Sequence, residues 1–271
     1  MKNVRYVIAL CVVSLLALGG WSVMAQEASD IPQITIEKSA DGYVIPAEMP
    51  EGVVQVTFNN ASENGLDATF ARLNEGVTAD DLMGAMGEAG PMGALQLVSL
   101  AGGTSVAPGE SADMYVSFKP GDYVLLDMGE NAPPPSLFTV ADAEGEGAAA
   151  PEAAVNVSLL DFAFSLPLEL TAGESLWQID NNGEQWHEMV IFKIDPSLTL
   201  EEMRGIVAQV NNGEEPAVEQ AGFVFPIGAG ESTWVNMNLE AGTYLAICFL
   251  PDFASGHSHF QDGMMQVLTV S

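Results

Sequence analysis

The chain has 271 residues, 48% of them hydrophobic, and a mean hydropathy of +0.21. That is enough apolar material for two ordinary domains, and it excludes a chain disordered throughout. The 37 acidic and 7 basic residues give a formal net charge of −30, a field that opposes binding to nucleic acid or anionic membrane and favours a soluble monomer or approach to basic partners.

At the start of the chain, Lys2 and Arg5 precede an uncharged apolar run over residues 6–20 and a small-residue exit at Val23, Met24 and Ala25. This predicts a secretory signal peptide over residues 1–25, because the run is short for a membrane span and the chain beyond it is polar and acidic. The processed protein is expected in the periplasm or secreted, with no membrane insertion once the leader is removed. Residues 26–142 then read as a first domain. Segments 33–38 and 53–58 alternate or cluster β-branched residues as half-buried strands do, and 68–73 continues the pattern. Residues 78–86 have helical periodicity, with Thr78 as N-cap and Asp81 in the first turn, before the glycines and proline of residues 84–93 are expected to stop the helix. Strands resume at 94–98, 112–118, 123–128 and 136–140. Residues 143–152, dominated by Ala, Glu and Gly, read as an exposed linker.

The same order returns over residues 153–271. Asn60 is matched by Asn181, Thr78 by Thr199, the triplet Gly109, Glu110, Ser111 by Gly230, Glu231, Ser232, and Tyr123 by Tyr244, every pair with an offset of 121. A constant offset across more than sixty residues marks an internal duplication. In the second copy Thr199 and Glu202 form a capping box, and Leu200, Met203, Val207 and Val210 make an apolar stripe. The fold expected is all-β: two tandem Greek-key β-sandwich domains, each with one short helix.

The two copies differ in their chemistry. Apart from Cys11 in the leader, Cys248 is the single thiol, and the three histidines, His187, His257 and His259, all lie in the second copy. At the offset of 121, His187 faces Leu66 and Cys248 faces Asp127. A lone cysteine in an exported chain is a quiet core residue, an intermolecular partner or a metal ligand. His187 opens one strand, Cys248 closes another, and His259 and Met264 come in or after the next loop. These residues can converge at one end of a sandwich. A thiolate and two imidazoles with a weak thioether is a set that selects copper. His257 and His259 alternate, and either could serve as the second imidazole or in a surface pair for zinc. The neighbours of Cys248 suggest burial and supply no helix N-terminus, which argues against a nucleophilic hydrolase, and no enzyme activity is expected.

Three local features carry a resemblance. Asn181 and Asn182 precede His187, Gly242, Thr243 and Tyr244 precede Cys248, and His259 precedes Met264 and a valine-containing last strand. In these the second domain resembles the plastocyanin-like blue copper proteins, the cupredoxins, and the first domain looks like a degenerate copy lacking metal ligands. The resemblance implies a cupredoxin-like fold, one copper ion held by His187, Cys248, His259 and an axial Met264, and one-electron exchange with a redox partner protein. It also singles out His259 over His257 by its distance to Met264. One departure is that ten residues separate Cys248 from His259, where the family leaves two to four. The alternative is a metal-free structural, adhesion or ligand-binding protein.

Overall fold

The computed structural model describes residues 31–129, 131–142, 148–214 and 218–271. The leader expected over residues 1–25 and the first half of the expected linker, residues 143–147, lie outside the described residues. The first half contributes β1 (Gln33–Ser39), β2 (Gly42–Val44), β3 (Glu48–Met49), β4 (Gly52–Asn60), β5 (Leu66–Leu73), β6 (Val98–Val106), β7 (Ser111–Phe118), β8 (Gly121–Asp127) and β9 (Ser136–Val140), with helix α1 (Ala79–Ala94) between β5 and β6. The second half repeats the series as β10 (Val155–Leu160), β11 (Ala163–Ser165), β12 (Glu169–Leu170), β13 (Gly173–Asn181), β14 (His187–Ile194), β15 (Glu219–Ile227), β16 (Ser232–Leu239), β17 (Gly242–Ile247) and β18 (Met265–Val270), with α2 (Leu200–Asn211) between β14 and β15. Among the described residues no helix is long and apolar enough to cross a membrane.

The expected pair of tandem Greek-key β-sandwich domains is corrected by the sheet order. The strands form two sheets that run through both halves without a break, one of eight strands (β11-β10-β13-β16-β7-β4-β1-β2) and one of ten (β12-β18-β17-β14-β15-β6-β5-β8-β9-β3). Antiparallel pairing of β16 with β7 and of β15 with β6 makes the joins. The physical reason is the sheet edge. A free-standing half would present β6 and β7 as unpaired edges, and pairing them with their counterparts satisfies those backbone groups. In the β7–β16 join Met114 stands opposite Val235. These two residues are related by the same offset as the repeat, so the join lies on the local two-fold relating the halves. Gly102 of β6, with φ of +93°, leaves room for side chains of the second half, since a Cβ at that position would meet Thr233 Oγ1 at 3.1 Å and Ile227 Cγ2 at 3.4 Å.

Buried charge also ties the halves together. The carboxylate of Glu231, 1% exposed, takes Arg72 and Lys119 at 3.1 Å each, and the hydroxyl of Ser99 donates to it at 3.3 Å. Removing the carboxylate takes a buried charge-assisted acceptor from Arg72 and Lys119, whose side chains are 29% and 39% exposed. Glu231→Gln is therefore expected to lower stability by about 2–3 kcal/mol, read as a lower urea midpoint in one cooperative transition.

Period two along the strands sends alternate side chains to the space between the sheets. Val54, Val56, Phe58, Phe70 and Phe118 fill it in the first half, and Trp177, Ile179, Met189, Ile191 and Cys248 in the second. The other faces of β14 and β17 (Val190, Phe192, Ile194, Leu245, Ile247) are covered by Met203 and Val207 of α2. Buried on both sides, β14 reads as a nearly continuous apolar run rather than an alternation.

The duplication is visible in hydrogen bonds. Asn60 Nδ2 donates to the carbonyls of Asn64 and Val106, and Asn181 Nδ2 to those of Gln185 and Ile227, the corresponding pair. Tyr123 donates to Lys119 O and Tyr244 to Glu240 O. Thr199 and Glu202 form the capping box, but Leu200, placed on the apolar stripe by sequence, is 54% exposed. Helix α1 runs on to Ala94, past the expected stop at its glycines. Each glycine costs about 1 kcal/mol of helix propensity, and packing of Leu82, Ala85, Met86 and Ala94 against the outer face of β5 and β8 offsets that cost.

Candidate metal centre

His187 enters the interior at the first position of β14, next to β17, whose last residue Ile247 precedes Cys248. The ten residues after Cys248 form a folded return. Asp252 caps a turn by accepting from the N–H groups of Ala254 and Ser255, its own N–H donates to His257 O, and Pro251 bridges Ser258. The His259 N–H then donates to Leu250 O and that of Phe260 to Cys248 O, which bring the imidazole back beside the thiol. Met264 N–H donates to His259 O, and Cys248 N–H to Met264 O, closing the excursion.

As a result His187, Cys248 and His259 each offer a donor atom, all within 4.8 Å of one another. The two Nδ1 atoms are 3.1 Å apart, and Cys248 Sγ is 3.4 Å from His259 Nδ1. His187 and Cys248 have no exposed surface, and His259 keeps 1%. Burial pushes the Cys248 thiol up to about 12, with the nearby Glu188 charge adding to it. Burial, followed by the neighbouring His187, draws His259 down to about 4, and burial lowers His187 against the opposing pull of Asp161. Without a metal the thiol and the two imidazoles are thus neutral and buried away from solvent.

Several neighbours carry no sequence spacing. Asp161 Oδ1 lies 3.0 Å from His187 Nε2, and Gln185 Oε1 lies 3.2 Å from His259 Nε2. The ring of Phe162 meets that of His259 edge-on at 5.3 Å. Glu188, 8% exposed, accepts the N–H of Phe249 at 3.1 Å, and burial lifts its carboxyl from 4.5 to about 7. A raised carboxyl favours the fold while it is protonated, so this contribution is present below 4.5 and is lost as the pH rises toward 7. The depressed histidines act oppositely, losing stability as the pH falls below 6.5. Glu188→Gln keeps the acceptor for Phe249 and removes the alkaline loss. Relative to the unaltered apo-protein it is expected to gain up to about 3 kcal/mol between pH 4.5 and pH 8, checked by urea midpoints at both values.

Three of the four residues expected from sequence therefore come together. Met264 is fully buried in the apolar cluster that also contains Cys248. His257 stays on the surface, with its Nδ1 3.4 Å from Asp262. Type 1 copper with one-electron transfer was expected on a four-residue set with axial methionine. The donor group assembled in the structure is instead His, Cys, His, set in a body of two continuous sheets, and the electron-transfer expectation is corrected on that finding. Asp161, Gln185, Glu188 and Phe162 were missed. For Asp161 a usable signal existed: its counterpart at the repeat offset is Ala40, a change of the same kind as Leu66 to His187.

The chain matches no protein-family model and no curated protein. Among solved structures it is similar to a dithionite-reduced auracyanin from Roseiflexus castenholzii, with 20% identity over 43% of this chain and 94% of that one and a TM-score of 0.32. Auracyanin A, a blue copper protein of Chloroflexus aurantiacus, gives 22% identity over 43% and 98% and a TM-score of 0.30. A copper nitrite reductase from Nitrosomonas europaea gives 14% over 88% and 93% and a TM-score of 0.25. Superpositions at this level do not establish a common fold. The assignment to the cupredoxins drawn from three local motifs is withdrawn because both sheets run through the two halves of the chain, and with it the description of the first half as a degenerate member.

Proposed function

We propose that this chain binds one copper ion, held as Cu(I) by Cys248, His187 and His259, and acts as a carrier of that ion rather than as an enzyme. The observation that carries this reading is the gathering of one sulfur and two Nδ1 atoms in a pocket without exposed surface. Donors spaced 3.1 and 3.4 Å apart can share a cation about 2.0–2.3 Å from each. A thiolate with imidazoles is the soft set that copper prefers. Charge favours the monovalent ion: one thiolate and one Cu(I) make a neutral site, whereas a divalent ion would leave a net charge in the interior. We take the carrier as an exported protein, on the apolar run that follows Lys2 and Arg5, with a copper donor or acceptor as partner. An anaerobic titration of the purified protein with Cu(I) against a bicinchoninate competitor tests the reading. One equivalent retained, and not displaced by Zn(II), is expected; no retained equivalent overturns it.

A further inference from the structure

We propose that Asp161 is the positioning residue of this metal site, fixing the imidazole of His187 in the tautomer that turns a bare Nδ1 toward Cys248 and His259. The inference rests on the copper-binding reading above for its purpose, and on its own geometry for its substance. A carboxylate can only accept, so the His187 Nε2 that lies 3.0 Å from Asp161 Oδ1 carries the ring proton. The other nitrogen is then a lone pair, directed at His259 Nδ1 3.1 Å away. A ligating histidine is commonly oriented through its second nitrogen in this way.

The same oxygen fastens the segment that delivers His187. The N–H groups of Glu184 and Gln185 donate to Asp161 Oδ1 at 3.0 and 3.2 Å, so the carboxylate sets both the ring and the chain leading into β14. Asp161 itself stands in the two-residue turn between β10 and β11, where Leu160 pairs with Ala163. Its companion Phe162 adopts a φ of +63°, a left-handed conformation that a bulky residue seldom holds. That turn therefore touches both imidazoles from outside, through Asp161 on His187 and Phe162 on His259.

Gly183 is a separate sign that the pair is built in. A Cβ there would lie 2.5 Å from Asp161 Oδ1 and 2.8 Å from His187 Nε2, so no side chain fits against the pair. In the first half the turn is registered identically, with Ser39 opposite Gly42. There Ala40 stands for Asp161, Ser62 for Gly183 and Leu66 for His187. All three members of the device are missing from the copy that lacks the donor set.

The test compares Asp161→Ala and Asp161→Asn with the unaltered protein in two measurements. The first is Cu(I) affinity by chelator competition. Asp161→Ala is expected to weaken it roughly 10–100-fold, whereas Asp161→Asn, whose side-chain oxygen still accepts, should recover most of the loss. The second is the nitrogen-15 shift of the His187 ring in the metal-free protein, which reads the tautomer directly. The unaltered protein and the Asn variant should show the proton on Nε2, and the Ala variant a mixture. Affinity within threefold of the original in Asp161→Ala, or a ring proton on Nδ1 in the unaltered protein, overturns the proposal. If the unaltered protein takes no Cu(I), the copper reading fails alone, and the ring shift still decides the role of Asp161. Should Asp161→Ala not fold, the Asn variant and the shift of the unaltered ring supply the decision.

Discussion

Saturation with Cu(I) is expected to raise the melting temperature of this protein by about 8–16 °C, and Cys248→Ala to abolish that rise. A ligand that binds only the folded state at a thousandfold excess over its Kd stabilises by about 4 kcal/mol, and for a chain of this size each kcal/mol moves the midpoint about 2–4 °C. The three donors sit on β14, at the end of β17 and on the loop before β18, so the ion cross-links elements that must separate on unfolding. The thiol lies at about 12 in the metal-free protein, so binding displaces its proton, and apparent affinity should rise about tenfold per pH unit across the neutral range. Cys248→Ala removes both the charge and the strongest donor. Without metal it should cost only about 1 kcal/mol of packing, since the neutral thiol then acts as a small side chain of the apolar cluster. His257→Ala is the control: the ring is exposed and pairs loosely with Asp262, so the metal-linked shift should be unchanged. Differential scanning with and without the ion separates these outcomes. A shift that survives in Cys248→Ala would place the ion elsewhere.

What could be read from the sequence was whatever the chain states locally or repeats. The offset between Asn60 and Asn181 was legible because each amide performs a local task, bonding the carbonyl four residues on and one forty-six residues on, and such tasks tolerate no substitution by a residue of different shape. The capping box was legible because a cap acts within one turn. Tyr244, Ala246 and Cys248, spaced by two along the chain, share one core.

Elsewhere the sequence had less to say. The joining of the two sheets depends on which edge strands find each other, and β6 and β15 look no different for being paired. Asp161 reaches His187 across twenty-six positions through a turn, a distance for which no spacing rule exists. The ten residues between Cys248 and His259 depart from the family's spacing, and Asp252 folds them into a short bridged hairpin, so the extra length is spent on a turn and not on separation. A comparison of the two copies would have found more. Where a scaffold position changes from apolar in one copy to charged or imidazole in the other, the scaffold cannot be what requires it.

That comparison leads to the second large effect, in the first half. Lys38→Leu is expected to destabilise the protein by about 3–5 kcal/mol, although leucine is what the second half carries at the equivalent Leu159, itself fully buried. Shape is therefore not at issue. In the first half Lys38 Nζ donates to Asp127 Oδ2 and to Gly65 O at 2.7 Å each, with both side chains at 2% exposure or less. The Tyr43 hydroxyl donates to the same carboxylate oxygen at 2.6 Å. Burial alone would raise the Asp127 carboxyl, and the bonds from Lys38, Tyr43 and the N–H groups of Gly129 and Asp67 outweigh it, so the group lies below its ordinary value. Such a carboxylate stabilises the fold above its unfolded pKa and loses that contribution as the pH falls through the folded one. Without Lys38 the buried charge is unpaired and the carboxyl must rise, so the variant should suffer most near neutrality and least in acid. Its urea midpoint measured at pH 7 and pH 4 should approach that of the unaltered protein at the lower value. The triple change Lys38→Leu, Tyr43→Phe, Asp127→Cys installs the residues found at Leu159, Phe164 and Cys248, and should restore at least half of the loss by removing the charge together with its partners. If the single change proves harmless at pH 7, the ammonium is not needed there. If it behaves as expected, the two copies hold the same place in opposite ways, one with a permanent cation fixed on a carboxylate, the other with a thiol and two imidazoles.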